Sequence, residues 1–238
     1  MRIVIAQMQV ARDIASNSET ICSLLQRARP RDWVVFPEGA LTGYFPDETG
    51  YLAATERSDV EDAIEGLQSV VARQGCHCVV GSARFVADGW RNSAVLISPA
   101  SGVRWYDKNS LSALDSRHFV AGDQLPVYEI DGLKAGVQIC WELLFPRHWT
   151  QLKQAGAGVV FHVNNAVKPE DAFWEHILLT RAFENRYFVC SVNNAAATQT
   201  LPSYLIAPSG DTLLKCEPRV EQAVACELDL SQVESAWS

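Results

Sequence analysis

Short β-branched runs alternate with amphipathic helical patterns at the start of this chain. That alternation limits the folds open to it more than any other feature. Residues 3–10 of "MRIVIAQMQV" read as a buried strand. "SNSETICSLLQRA" places Ile21, Leu24, Leu25 and Ala28 on one helical face, and Ser16 with Glu19 reads as a capping box at its start. "DWVVFPE" is a strand stopped by Pro37, so Glu38 falls just past a strand's carboxyl end. Ser58 with Glu61 reads as a second capping box, ahead of a helix whose apolar face is Val60, Ala63, Ile64, Leu67 and Val71. "CHCVVGSARF" returns to a strand. A strand–helix–strand–helix–strand order predicts a parallel sheet core with helices outside it.

The middle of the chain changes style. "SAVLISPASGVRWYDK" reads as two strands around a Ser-Gly turn, and "VYEIDGLKAGVQIC" carries Asp131-Gly132 between alternating runs, a hairpin signal. "GAGVVFHV" is a further buried strand. "PEDAFWEHILLTRAFENR" reads as a buried helix opening at Pro169 with acidic residues behind it. "YFVCSVNNAA", "SYLIAPSGDTLLK" (turning at Ser209-Gly210) and "VACELDL" are strands. No linker or repeat interrupts residues 1–238, so the expectation is one α/β domain with two sheets packed face to face and helices outside.

Composition narrows the function classes. The 238 residues are 48% hydrophobic, enough for a large core. No run of 18 apolar residues predicts a membrane span, and the first ten residues lack a signal peptide's length, so a cytoplasmic location is expected. The formal charge is -8, with 20 Lys and Arg scattered along the chain, which disfavours a nucleic-acid face. Seven cysteines without a CxxC read as free thiols of a reducing compartment. In "CHC", strand alternation puts Cys76 and Cys78 on one face and His77 on the other. That arrangement chelates poorly, so no metal site is assigned.

Three strand-end residues have complementary chemistry. Cys140 ends the run "KAGVQIC", and "WELLFP" breaks the alternation behind it. A thiol at such a turn is presented to a pocket with the next backbone N–H free to donate, although cysteines at strand ends more often belong to the core. Glu38 follows a buried strand, where burial would raise its pKa into the range useful for proton transfer. Lys108 ends "RWYDK". A thiol needs a base, a carboxylate can take that proton and return it to a leaving amine, and an ammonium can stabilise a thiolate or an oxyanion.

"VVFPEGALTGY", "YDKNSL" and "AGVQICWELLFP" resemble, in that order, the three signature segments of the nitrilase, or carbon-nitrogen hydrolase, superfamily. Lys108 follows Glu38 by 70 residues and Cys140 follows Lys108 by 32. "LLTRAFENRYFVCSVNN" and "SYLIAPSGDTLL" extend the likeness, which runs from Met1 to about Leu230. The resemblance implies a four-layer αββα sandwich, a Glu38–Lys108–Cys140 triad, and attack by Cys140 on an amide or nitrile carbon. Glu38 would be the base, and Lys108 with the backbone N–H of Trp141 would hold the oxyanion. It implies no metal or organic cofactor, a small amide-type substrate, and a homodimer formed through helices near the site.

The chain departs from the pattern at one carboxylate. Many members carry a second glutamate between the lysine and the cysteine, and here the matching position is Asp115, one methylene shorter. Asp115 is expected to hold Lys108, with Glu142 as a sharer of that role. Tyr44, Phe45, His118, Asn164, Asn165 and Trp174 are candidate pocket residues of types that serve structure as readily as substrate. Arg181 and Glu184 read as a structural buried ion pair. The favoured activity is hydrolysis of a small amide or N-carbamoyl compound, and the compact length favours amides over nitriles. Nitrile hydrolysis, acyl transfer and a non-catalytic interaction protein on the same fold are the alternatives.

Overall fold

The computed structural model describes residues 1–166 and 171–234. Two six-stranded sheets face each other. The first contains β1 (Arg2–Gln7), β2 (Trp33–Val35), β3 (His77–Val86), β4 (Gly89–Ser98), β5 (Gly102–Asp107) and β12 (Gln222–Glu227), in the order β12-β1-β2-β3-β4-β5. The second contains β6 (Tyr128–Ile130), β7 (Leu133–Ile139), β8 (Val159–Val163), β9 (Phe188–Val192), β10 (Tyr204–Ile206) and β11 (Thr212–Lys215), in the order β11-β10-β9-β8-β7-β6. β1, β2 and β3 are parallel, as are β7, β8 and β9, and the remaining pairs are antiparallel. Each sheet is thus a parallel centre extended by antiparallel strands, and the two strand–helix–strand–helix–strand runs are those that parallel pairing requires.

Strand alternation builds the layers. Ile3, Ile5, Val35, Val79 and Leu96 from one sheet meet Val137, Ile139, Phe161, Val163 and Val192 from the other in a buried layer between the sheets. The opposite face of the first sheet (Val34, Phe36, Cys78, Val80) packs on α1 (Ile14–Leu25) and α2 (Arg57–Gln74) through Ile21, Leu25, Ile64, Leu67 and Val71. The outer face of the second sheet packs on α3 (Pro146–Gln154) and α4 (Asp171–Asn185) through Trp149, Leu152, Leu178 and Ala182. The result is the αββα sandwich. A short α5 (Ser231–Glu234) follows β12. Among the described residues no helix is long and apolar enough to cross a membrane.

Several local readings are corrected. β1 stops at Gln7, short of Val10. α1 starts at Ile14, and its N-cap is Asp13, whose carboxylate accepts from the Ser16 N–H at 2.8 Å, so the Ser16–Glu19 box lies inside the helix. α2 starts at Arg57 after Glu56 with no side-chain cap, so Ser58 is its second residue rather than its cap. The sequence reading missed α3. Pro146, which closes the "WELLFP" run, stands at its first helical position, where its missing N–H costs nothing. The expected helix start at Pro169 lies outside the described residues. Asp131 (φ 49°) and Gly132 (φ 80°) form the hairpin turn that Asp-Gly signals. In "CHC" the two thiols face α2, while His77 stacks on Trp33 at 4.6 Å between the sheets.

Candidate active site

Glu38 sits three residues beyond β2, completely buried. β3 passes close beneath it: a Cβ on Gly81 would lie 2.3 Å from the Pro37 carbonyl oxygen and 2.5 Å from the Glu38 Cα. Only glycine allows that approach. The Gly81 N–H donates to the Pro37 carbonyl at 3.1 Å, and the Leu41 N–H to the Gly81 carbonyl at 3.0 Å, which fixes the turn. Glu38 Oε1 accepts from Lys108 Nζ at 2.9 Å and from Asn92 Nδ2 at 2.8 Å. Its Oε2 has no hydrogen-bond partner among the described residues.

Lys108, at the end of β5, is equally buried, and its Nζ lies 2.8 Å from Asp115 Oδ2. Asp115 opens a single 3-10 turn and gathers donors from every side. Oδ2 accepts from the Ser112 N–H (3.0 Å) and hydroxyl (2.9 Å), and Oδ1 from the Tyr44 hydroxyl (2.8 Å) and Asn92 (3.2 Å). One ammonium therefore lies between two carboxylates, and Asn92 bridges those carboxylates from another side. Burial works against the charged form of Lys108, but Glu38 and Asp115 outweigh it and raise its pKa. Burial raises the Glu38 carboxyl, Lys108 pulls it down and Asp115 pushes it up, with a net rise. Burial opposes ionisation of Asp115 too, yet Lys108 and the Ser112 and Tyr44 donors hold its carboxyl low.

Cys140 follows β7 with φ 44°, left-handed backbone that a non-glycine residue adopts at a cost of about 1–3 kcal/mol. That kink takes the chain out of the strand into a 3-10 turn over Cys140–Leu144, with Cys140 as a residue half-buried and its thiol turned inward. Burial and the Glu38 charge hold the thiol in its neutral form, while Lys108 and the Asn165 N–H favour the thiolate. A thiol and a carboxylate of raised pKa are the two groups that a proton transfer from sulfur to oxygen requires.

Glu142 is not on the lysine. Its Oε1 accepts from the Tyr106 hydroxyl (2.7 Å) and from the N–H groups of Asn109 (2.8 Å) and Ser110 (3.2 Å), and its Oε2 accepts from the Ile139 N–H (2.8 Å). Burial lifts its carboxyl to about 7 against the pull of those donors. The side chain thus joins the chain around Lys108, in one sheet, to the residue before Cys140, in the other. Among the described residues the ion pairs of Lys108 are with Glu38 and Asp115 and none is with Glu142, which corrects the expectation that Glu142 shares the ammonium.

The other candidates divide. Tyr44 reaches Asp115, and its ring lies 5.9 Å from Lys108 Nζ. Asn164 presents its carbonyl to the Glu38 N–H at 3.3 Å, and its buried amide group has no partner among the described residues. Asn165 turns its side chain to Gln199 and its N–H to Cys140. His118 braces a neighbouring loop instead: its Nε2 lies 3.0 Å from the Pro46 carbonyl and its ring meets Tyr51 edge-on. Phe45 lies under the Arg12 guanidinium. Trp174 packs with the helices over the second sheet, in the cluster of Leu143 and Trp149. Trp141 is 39% exposed. Arg181 pairs with Glu184 at 2.8 Å and also donates to the Leu143 carbonyl, although Glu184 is half exposed rather than buried. The sequence reading missed Asn92, Tyr106 and His162. Each is a polar group inside an apolar strand ("RNSAV", "VRWYD", "VVFHV"), and that break in the pattern was the available signal.

The fold and this group of residues define a class by architecture, an αββα sandwich with a buried carboxylate–lysine pair near a strand-end thiol. The sequence matches the carbon-nitrogen hydrolase family over residues 2–237, and the chain belongs to that family, as a hydrolase of non-peptide C–N bonds. It is 27% identical to an (R)-stereoselective amidase of a Pseudomonas species, over 94% of this chain and 83% of that one. It is also 27% identical to a nitrilase of Pyrococcus abyssi, over 83% and 76%. Among solved structures it superimposes on a variant of the amidase from Nesterenkonia sp. AN1, in which the acetamide moiety of fluoroacetamide is added covalently at the active-site cysteine. The TM-score is 0.87 at 20% identity, over 98% of this chain and 92% of that one.

Proposed function

We propose that the chain hydrolyses a small amide or N-carbamoyl compound through a thioester on Cys140. The observation that carries this reading is the convergence of Glu38 and Lys108, 2.9 Å apart and fully buried, with a thiol presented on kinked backbone. Cys140 Sγ attacks the carbonyl carbon and its proton passes to Glu38. The tetrahedral oxyanion is held by Lys108 and the Trp141 N–H, and Glu38 protonates the departing ammonia or amine. Glu38 then deprotonates the water that cleaves the thioester and returns the proton to the thiolate. Asp115 keeps Lys108 charged and in place. Tyr44 and Asn164 are the pocket groups this reading retains. These steps require neither metal nor organic cofactor.

Amides are favoured because the Pseudomonas relative and the Nesterenkonia neighbour are both amidases. The Pyrococcus nitrilase keeps nitriles as the second reading, since the same thiol could add to a nitrile carbon. Ammonia release from matched amides, N-carbamoyl compounds and nitriles of one side chain decides between them, and faster turnover of the nitriles would reverse the preference. Stoichiometric labelling of Cys140 by iodoacetamide with loss of turnover is expected, and turnover surviving that label would refute the thiol mechanism. The exposed Trp141, Leu144, Phe173 and Phe183, on or near α4, support a homodimer formed on that side. Sedimentation of a monomer at micromolar concentration would refute it.

A further inference from the structure

His162 lies in the middle of the apolar strand β8, with none of its surface exposed. Its Nε2 lies 3.0 Å from the carbonyl oxygen of Cys140, and its Nδ1 lies 2.8 Å from the Ser191 hydroxyl. A carbonyl only accepts, so Nε2 carries the hydrogen, Nδ1 is bare, and Ser191 donates to it. Burial lowers the imidazole to about 4, which leaves it neutral in this one tautomer at ordinary pH.

The carbonyl that His162 holds belongs to the same peptide unit as the Trp141 N–H. In a trans peptide the C=O and N–H point in opposite directions. A donor fixed on the Cys140 oxygen therefore turns the Trp141 N–H away from His162. It also polarises that N–H, since hydrogen bonds on the two ends of one amide reinforce each other. The contact sits on the residue whose φ of 44° puts the thiol out of the strand.

We propose that His162 is a positioning residue that orients the Trp141 N–H as oxyanion donor by holding the other end of the same peptide. This rests on the thioester reading above. It assigns His162 no proton transfer, and the imidazole stays behind the nucleophile.

The test separates oxyanion binding from thiol reactivity. Alkylation of Cys140 by iodoacetamide forms no oxyanion. Propionaldehyde adds reversibly to the thiol to give a hemithioacetal whose oxygen takes the oxyanion position, and it should protect Cys140 from alkylation. In His162→Met and His162→Leu, which fill the space without an N–H, the alkylation rate should stay within about twofold of wild type. The propionaldehyde concentration needed for protection should rise at least about tenfold, on the scale of losing part of an oxyanion donor. His162→Gln, which keeps an N–H, should recover most of the protection. Equal protection in wild type and folded donor-free variants would overturn the inference, as would an equal fall in alkylation and protection. If neither variant folds, wild type labelled with ¹⁵N-histidine decides. The Nε2–H resonance of His162 should move on aldehyde binding, and an unmoved resonance would overturn the inference. Failure of wild-type Cys140 to react with iodoacetamide would instead sink the thiol reading itself.

Discussion

Asp115→Asn offers a test of how Lys108 and its two carboxylates set the base. Lys108 Nζ is 2.9 Å from Glu38 Oε1 and 2.8 Å from Asp115 Oδ2, so those oxygens are no more than about 6 Å apart. Two unit charges at that separation repel by about 3 kcal/mol at an effective dielectric of about 20. Asp115 is one of the groups that raise the Glu38 carboxyl. Removing its charge lets the Glu38 pKa fall, so a smaller proton concentration no longer suffices to protonate the base. The acid limb of kcat/KM should therefore move to lower pH. A weaker base should also lower the plateau of kcat by about tenfold. The amide has only one oxygen for the donors that Asp115 satisfies, so an N–H is set against Asn92 or against Ser112 and Lys108. That should cost about 2–3 kcal/mol in urea denaturation. A folded variant whose acid limb stays where it is in wild type would refute the electrostatic argument, even if its rate were low.

Cys140→Ala should abolish turnover and leave the urea midpoint nearly unchanged, because the residue stands half-buried at a strand-end kink rather than mid-core; residual activity in the purified variant would refute its role as nucleophile. Glu38→Gln should lower kcat by at least about 10²-fold, the usual scale for a general base, and steady-state rates within a few-fold of wild type would move that role elsewhere. Gly81→Ala should also lower kcat by about 10²-fold, since a Cβ 2.5 Å from the Glu38 Cα forces the base to shift by a fraction of an ångström or more. An active Gly81→Ala enzyme with a native melting point would show that the approach of β3 to Glu38 is unimportant.

The pattern of the sequence was enough for the architecture. Strand runs such as "VVF", "CHCVVG" and "GVVFHV", with helical patterns between them, determine parallel pairing, because parallel strands need a crossover and the crossovers here are helices. Asp131-Gly132 specified its turn, since both residues adopt the positive φ that this pair tolerates best. Helix starts were less legible. Ser16 and Ser58 had the right chemistry for caps, but Asp13 outcompeted the first, and the second helix began without a side-chain cap. Local capping rules give several candidates within one turn, and packing of the apolar face selects among them.

The placement of Glu38, Lys108 and Cys140 at strand ends was also readable, because each stands where a strand pattern stops. Their surroundings were not. Asn92 bridges residues 23 and 54 positions away, and Glu142 joins Ile139 to residues more than 30 positions away. Those contacts cross from strand to strand and sheet to sheet, and no local pattern encodes them. The same holds for His162, whose partners are 22 and 29 residues distant. The sequence determined which groups stand at the strand ends, since hydrophobic period and turn chemistry are local. Only the tertiary structure decided which buried polar group satisfies which, because that depends on two sheets closing on each other and excluding the water that would otherwise bind them.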